Sequence, residues 1–219
     1  MRERSFRQGA TSWLDELIFR VRARAVLAKL PEPASSVADL GCGYDARFLR
    51  FAHRTGRIAA GIAVDLSLDA SQPDVAIQLI EADLSEALPI PDSSVAATTS
   101  LAVLEHLEQP AVHVAEMYRL LRPGGVLIMT TPSVRSKRVL ELLAFRLHVI
   151  DAAEIRDHKH YYTEPELRAL LVRAGFADDA IAYRSFSLGM NQLVVAKKTE
   201  PRAGDAGRQA TGAAEGRMA

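Results

Sequence analysis

The sequence predicts a doubly wound α/β domain, and three observations carry that prediction. Short apolar runs rich in Val, Ile and Ala recur at 36–40, 58–64, 75–80, 94–100 and 125–130. Runs of that length and composition suit strands of a parallel sheet buried on both faces. Helical candidates lie between them at 45–55, 67–72 and 110–122, so strand and helix signals alternate. Finally, two strand-like runs at 180–187 and 191–197 are separated only by Leu188, Gly189 and Met190. A connection that short permits only an antiparallel hairpin. The expected architecture is a mostly parallel seven-stranded sheet ending in an antiparallel hairpin.

The elements follow in order. Residues 12–30 carry Trp13, Leu14, Leu17, Ile18, Val21, Ala25, Val26 and Leu30 close to helical spacing, and Pro31 and Pro33 end that amphipathic helix. Arg20, Arg22 and Arg24 read as its solvated face, too few to engage nucleic acid. Val37 to Leu40 run into Gly41-Cys42-Gly43-Tyr44-Asp45, a strand followed by a glycine turn. Two glycines one residue apart let the backbone turn sharply and let a ligand approach the main chain. Asp45 is well suited to cap the helix after that turn. Near the C-terminus Thr163-Glu164-Pro165-Glu166 forms a capping box, and Gly175 is placed to cap the helix that ends near Ala174. Residues 199–219 hold four Gly, six Ala and almost no large apolar side chain, the composition of a disordered tail.

Three further segments follow the glycine turn: Val64-Asp65-Leu66-Ser67, Glu81-Ala82-Asp83-Leu84, and Leu120-Leu121-Arg122-Pro123-Gly124-Gly125. In that order and spacing they resemble the motifs of class I S-adenosylmethionine-dependent methyltransferases, over roughly residues 35 to 198. The resemblance implies a Rossmann-like sheet and S-adenosyl-L-methionine as cofactor. Asp39, at the strand end, would face a cationic amino group, and Gly41, Cys42 and Gly43 would form the turn beneath it. Asp65 would accept hydrogen bonds from ribose hydroxyls, with Leu66 beside it. Asp83 suits the adenine amino group, and Leu84 would offer its backbone amide and its side chain to the ring. Ser100 completes the expected cofactor set. The family usually has glycine where this chain has Asp45, a departure that keeps a non-catalytic cofactor-binding protein open. Gly41-x-Gly43-x-x-Ala46 also fits a dinucleotide-binding pattern, so a nicotinamide-dependent oxidoreductase is the third reading. Against it stand Asp39, which would oppose a pyrophosphate, and the lack of a second domain.

Ser100-Leu101-Ala102-Val103-Leu104-Glu105-His106 falls after the fourth strand, at the edge where open sheets bind ligands. The Glu105-His106 pair resembles the small-molecule branch that includes quinone-biosynthesis O-methyltransferases. The His106 imidazole could serve as a general base, or only orient a loop. Residues 1–34 form an N-terminal helical cap, and 133–162 an insertion that in this family lids the acceptor site. Its apolar run at 139–150, including Phe145, suggests a hydrophobic or aromatic small-molecule acceptor, unless it is ordinary core. Asp157, His158 and His160 lack the separated third ligand of a metal site, so no metal is expected.

Composition sets the remaining bounds. The 219 residues suit one domain with a full core, and the 27 basic and 27 acidic residues leave no net field to recruit nucleic acid. One cysteine, a polar N-terminus and no run long enough to span a bilayer point to the cytoplasm. Nothing in the sequence indicates the oligomeric state.

Overall fold

The computed structural model describes residues 13–31, 36–71, 74–134, 136 and 159–200. Helix α1 (Trp13–Leu27) precedes strand β1 (Val37–Leu40), helix α2 (Arg47–Arg54), β2 (Gly61–Asp65), β3 (Ile77–Glu81) and β4 (Val95–Leu101). A 3₁₀ turn (Leu104–His106), α3 (Pro110–Leu120), β5 (Leu121–Pro132), α4 (Glu164–Ala174), β6 (Ile181–Phe186) and β7 (Asn191–Lys197) complete the order. The seven strands form one sheet in the order β3-β2-β1-β4-β5-β7-β6. The first five run parallel, while β7 inserts antiparallel between β5 and β6. The doubly wound, mostly parallel sheet with its closing hairpin is therefore as the sequence predicts.

Each face of the sheet buries a separate core. On one side α3 and α4 contribute Val114, Met117, Leu120, Leu167 and Leu171 against Leu127 and Met129 of β5. On the other, α1 and α2 contribute Val26, Phe48 and Leu49 against Ile128 and Leu193. Leu127, Ile128 and Met129 thus alternate between cores, as consecutive strand residues must. The capping box opens α4, where the Thr163 amide donates to Glu166 Oε2 at 2.7 Å, and Gly175 ends the helix at φ 116°.

Two helix expectations are corrected. Residues 67–71 form no helix, because their amides are taken elsewhere. Leu68 donates to Glu81 Oε1 at 2.9 Å, Asp69 to the Tyr44 carbonyl at 2.7 Å, and Ser71 to Asp69 Oδ1 at 2.8 Å. Such bonds offer the backbone an alternative to the helical ladder. Nor does Asp45 cap α2. The left-handed turn runs on to Ala46 (φ 47°), which takes the cap position without a side-chain bond. Asp45 instead accepts, through its carbonyl, a bond of 2.8 Å from Arg50 Nε. Strand β5 also starts earlier than expected, because Leu121 pairs with Val95 ahead of a register shift.

His113 of α3 is wholly buried in the first core, with Nε2 3.0 Å from Ser100 Oγ and no partner at Nδ1. Burial pushes its pKa from 6.5 down to about 4. The folded protein therefore refuses a proton that the unfolded chain accepts between those values, so this site costs stability as the pH falls. Asp39 acts in the opposite sense: its raised pKa lets the folded state hold a proton that the unfolded chain releases. The two effects offset in the native protein. His113→Gln should uncover the difference, losing about 2 kcal/mol less stability than the parent between pH 6.5 and 4.5. Urea unfolding at the two pH values measures it, and equal losses in both proteins would contradict the buried neutral imidazole.

Candidate cofactor and acceptor site

The strand order reverses between β1 and β4, and open α/β sheets bind ligands at the carboxyl ends of strands at such a switch point. The glycine turn leaves β1 there. Gly41 (φ 81°) and Gly43 (φ 74°) both adopt the left-handed conformation, but for different reasons. A Cβ on Gly41 would lie 2.4 and 2.7 Å from the two methyls of Val103, so this glycine admits the segment after β4. A Cβ on Gly43 would meet nothing nearer than Asp45 Oδ1 at 4.0 Å, so that side of the turn is open. The amides of Gly41 and Cys42 both donate to the Val64 carbonyl, at 2.8 and 3.2 Å, which ties the turn to β2.

Parallel register builds the acidic part of the site. Asp39 sits opposite Ala63 of β2 and Thr99 of β4, which brings the Thr99 hydroxyl onto Asp39 Oδ1 at 2.6 Å. The Asp39 carboxyl is 1% exposed, and burial, with a contribution from Asp65, pushes its pKa up to about 7 against the hydrogen bond. Asp65 ends β2 with both carboxylate oxygens engaged: Oδ2 accepts from the Gly43 amide and Oδ1 from the Leu66 amide, each at 2.8 Å. It thus buttresses the turn from the neighbouring strand, and Leu66 beside it is 38% exposed. Cys42 is buried, donates to the Gly43 carbonyl at 3.4 Å, and has its thiol pKa pushed up by burial and by Asp39 and Asp65.

The remaining expected residues divide. Asp83 is exposed past the end of β3, where Oδ1 accepts from the Ser85 amide at 2.8 Å in an ordinary Asx turn. The Ala82 amide donates to the Asp65 carbonyl, which ties that loop to the end of β2. Leu84 is buried with Ala38, Leu40 and Val64, so its side chain belongs to the core and only its backbone is left to meet a ligand. Ser100 is likewise fully buried, with its hydroxyl 3.0 Å from His113 Nε2.

Residues 10–181 match the family model described as "Methyltransferase domain". The chain belongs to the class I S-adenosylmethionine-dependent methyltransferases. It is 26% identical over 183 residues to a ubiquinone biosynthesis O-methyltransferase of Psychrobacter cryohalolentis, covering 76% of this chain and 69% of that one. A 37.1 kDa transposon protein of Streptomyces fradiae is 29% identical over 182 residues, covering 76% of this chain and 52% of its own length. Among solved structures, a Mesorhizobium loti S-adenosylmethionine-dependent methyltransferase superposes with a TM-score of 0.61 at 25% identity, over 80% of this chain and 96% of that one. The chain spans between about a quarter and a half of several curated relatives. Family membership sets aside the nicotinamide reading of Gly41, Gly43 and Ala46.

The segment around Val103 leads into the 3₁₀ turn that carries Glu105 and His106. Ala102 takes a left-handed φ of 56°, and the 3₁₀ turn follows with Glu105 buried and His106 partly exposed. Glu105 Oε2 accepts from Thr131 at 3.1 Å, and burial raises the Glu105 pKa while His106 and Arg22 pull it down. The Glu105 carbonyl receives the Lys159 amide at 2.8 Å, which joins the approach to α4 to the 3₁₀ turn. Arg22 is a correction. It is not on a solvated face but half-buried, with Nη2 donating to Asn191 at 3.3 Å, so α1 packs over the edge of β5 and β7. Arg20 and Arg24 are exposed as expected. His160 Nε2 lies 3.1 Å from Glu166 at the capping box. Asp157, His158, the apolar run 139–150 with Phe145, and 201–219 lie outside the described residues.

Sequence reasoning missed Thr99, Val103, Thr131 and the inward turn of Arg22. One signal was present for Thr99: Thr98-Thr99-Ser100 is a polar run inside a strand buried over Val95–Ser100.

Proposed function

We propose that this protein transfers a methyl group from S-adenosylmethionine to a small-molecule acceptor. The supporting observation is the convergence of Asp39, the open Gly43 turn and Asp65 at the sheet's switch point, with Val103 packed against Gly41 just ahead of the Glu105–His106 turn. The residues fit the cofactor. Gly43 leaves room that a Cβ would fill, the buried Asp39 matches an ammonium group, and Asp65 retains acceptor capacity for a ribose diol. Leu66 offers an exposed apolar surface beside that carboxylate, and Asp83 with the Leu84 amide suits an adenine edge. Bound there, S-adenosylmethionine supplies an electrophilic methyl on a sulfonium. The chain's part is alignment: the glycine turn and Asp65 hold the donor, and the Glu105–His106 turn and α1 bound the acceptor side. Productive attack needs the reacting atoms about 3–3.5 Å apart. His106 acts as a base only where the acceptor must lose a proton.

The acceptor class is a hydrophobic or aromatic small molecule. The apolar run at 139–150 supports this, as do relatives named for ubiquinone biosynthesis and for 2-methyl-6-phytyl-1,4-hydroquinone methylation. Among the described residues no helix is long and apolar enough to cross a membrane. The single cysteine is in keeping with a cytoplasmic setting.

Titration calorimetry with S-adenosylmethionine, then mass-spectrometric detection of methylated hydroquinones and catechols, tests this reading. Binding together with product formation is expected. Binding without turnover on any acceptor would leave the non-catalytic alternative that Asp45 suggests. His106→Gln should lower turnover on a hydroxyl acceptor by on the order of a hundredfold, with cofactor affinity unchanged. A loss of only a few-fold would reduce His106 to an orienting role.

A further inference from the structure

We infer that Asp39 holds a proton in the free protein at mildly acidic pH, and that capture of a cationic ligand at the glycine turn expels that proton, with Thr99 as the positioning residue. This rests on the cofactor reading above. The geometry is unusual for a carboxylate meant to stay charged. Asp39 is 1% exposed in the middle of a sheet, forms no ion pair among the described residues, and has only the neutral Thr99 hydroxyl as a donor. Among the described residues, the surroundings of the carboxyl add no compensating charge. On its own strand the turn brings Cys42, with Asp45 beyond it; β2 contributes Asp65; β4 presents only Thr99. Among the described residues, the ionisable groups around this carboxyl are acidic. Burying a lone carboxylate among acids disfavours the charged form, and its pKa accordingly rises to about 7.

An arriving ammonium group reverses that balance. The carboxyl O–H bond breaks, the proton leaves to buffer, and the carboxylate pairs with the ammonium, so charge is conserved within the site. The binding-competent form is then the deprotonated one, and apparent affinity scales with its population. For a group titrating near pH 7, that population rises about twentyfold between pH 5.5 and 7.5. Thr99 decides which oxygen faces β4 and partly stabilises the carboxylate. Removing its hydroxyl should move the whole affinity profile to higher pH while leaving the plateau nearly intact.

Calorimetry of the full chain with S-adenosylhomocysteine, in buffers of different ionisation enthalpy, counts the protons released. At pH 6 release of close to one proton per ligand is expected, falling below one half by pH 7.5, with affinity rising about twentyfold from pH 5.5 to 7.5. Methylthioadenosine, which lacks the amino group, should release none. Asp39→Asn should abolish the release and flatten the profile, and Thr99→Val should shift it upward in pH. Binding of S-adenosylhomocysteine with no proton release and a flat profile would overturn this inference while leaving the cofactor reading intact. Equal release with methylthioadenosine would also overturn it, assigning the proton to another group. Failure of both ligands to bind would overturn this inference and the cofactor reading together.

Discussion

Asp65→Ala is expected to weaken S-adenosylmethionine binding tenfold to a hundredfold. The carboxylate would lose charge-assisted hydrogen bonds to the ribose, worth roughly 1.5–3 kcal/mol. The structure adds a second cost, because Asp65 also accepts the amides of Gly43 and Leu66 at 2.8 Å each. Alanine leaves both donors without that partner, so the glycine turn itself should loosen and the melting temperature should fall. Asp65→Asn separates the two effects. It keeps one acceptor oxygen for one of the two amides, turns an NH2 donor toward the other and loses the charge, so it should restore part of the stability and less of the affinity. Calorimetry and thermal unfolding of both variants decide the matter. An Asp65→Ala protein that binds with parental affinity would remove Asp65 from the site.

The two glycines of the turn should respond differently to the same methyl group. Gly41→Ala places a Cβ 2.4 Å from a Val103 methyl at a φ of 81°, so overpacking and left-handed strain combine. A loss of about 2–4 kcal/mol in stability is expected. The double variant Gly41→Ala with Val103→Ala should recover the overpacking part, since the clashing methyls are gone. Gly43→Ala carries the strain alone, about 1–2 kcal/mol, because its Cβ faces open space. That space is where the cofactor reading needs room, so Gly43→Ala should fold and yet lose at least tenfold in cofactor affinity. If Gly43→Ala binds like the parent, the open side of the turn is not the ligand's side.

Legibility varied with the range of the interaction. The capping box at Thr163–Glu166, the cap at Gly175 and the short β6–β7 connection are local, and each was readable within a few residues. The helix expected at 67–72 failed because distant partners, the Tyr44 carbonyl and the Glu81 side chain, take its amides. Asp45 looked like a cap by residue type, but the turn's left-handed course through Ala46 set the helix start one residue too late for it. Arg22 was read from its neighbours Arg20 and Arg24 as solvated, while it donates to Asn191, 169 residues away.

The sequence by itself determined the α/β alternation, the closing hairpin and the ordered series of acidic and glycine segments that mark the family. These properties depend on local periodicity and on spacing along the chain. Only the tertiary structure decided what Asp39 meets. Thr99 lies 60 residues away and faces it because β1 and β4 pair in parallel with one register. The same holds for Val103 over Gly41 and for Glu105 beneath Thr131. Register between non-consecutive strands is set by the collective packing of both faces of the sheet. No window of sequence contains that information, and the protonation of the buried Asp39 depends on it.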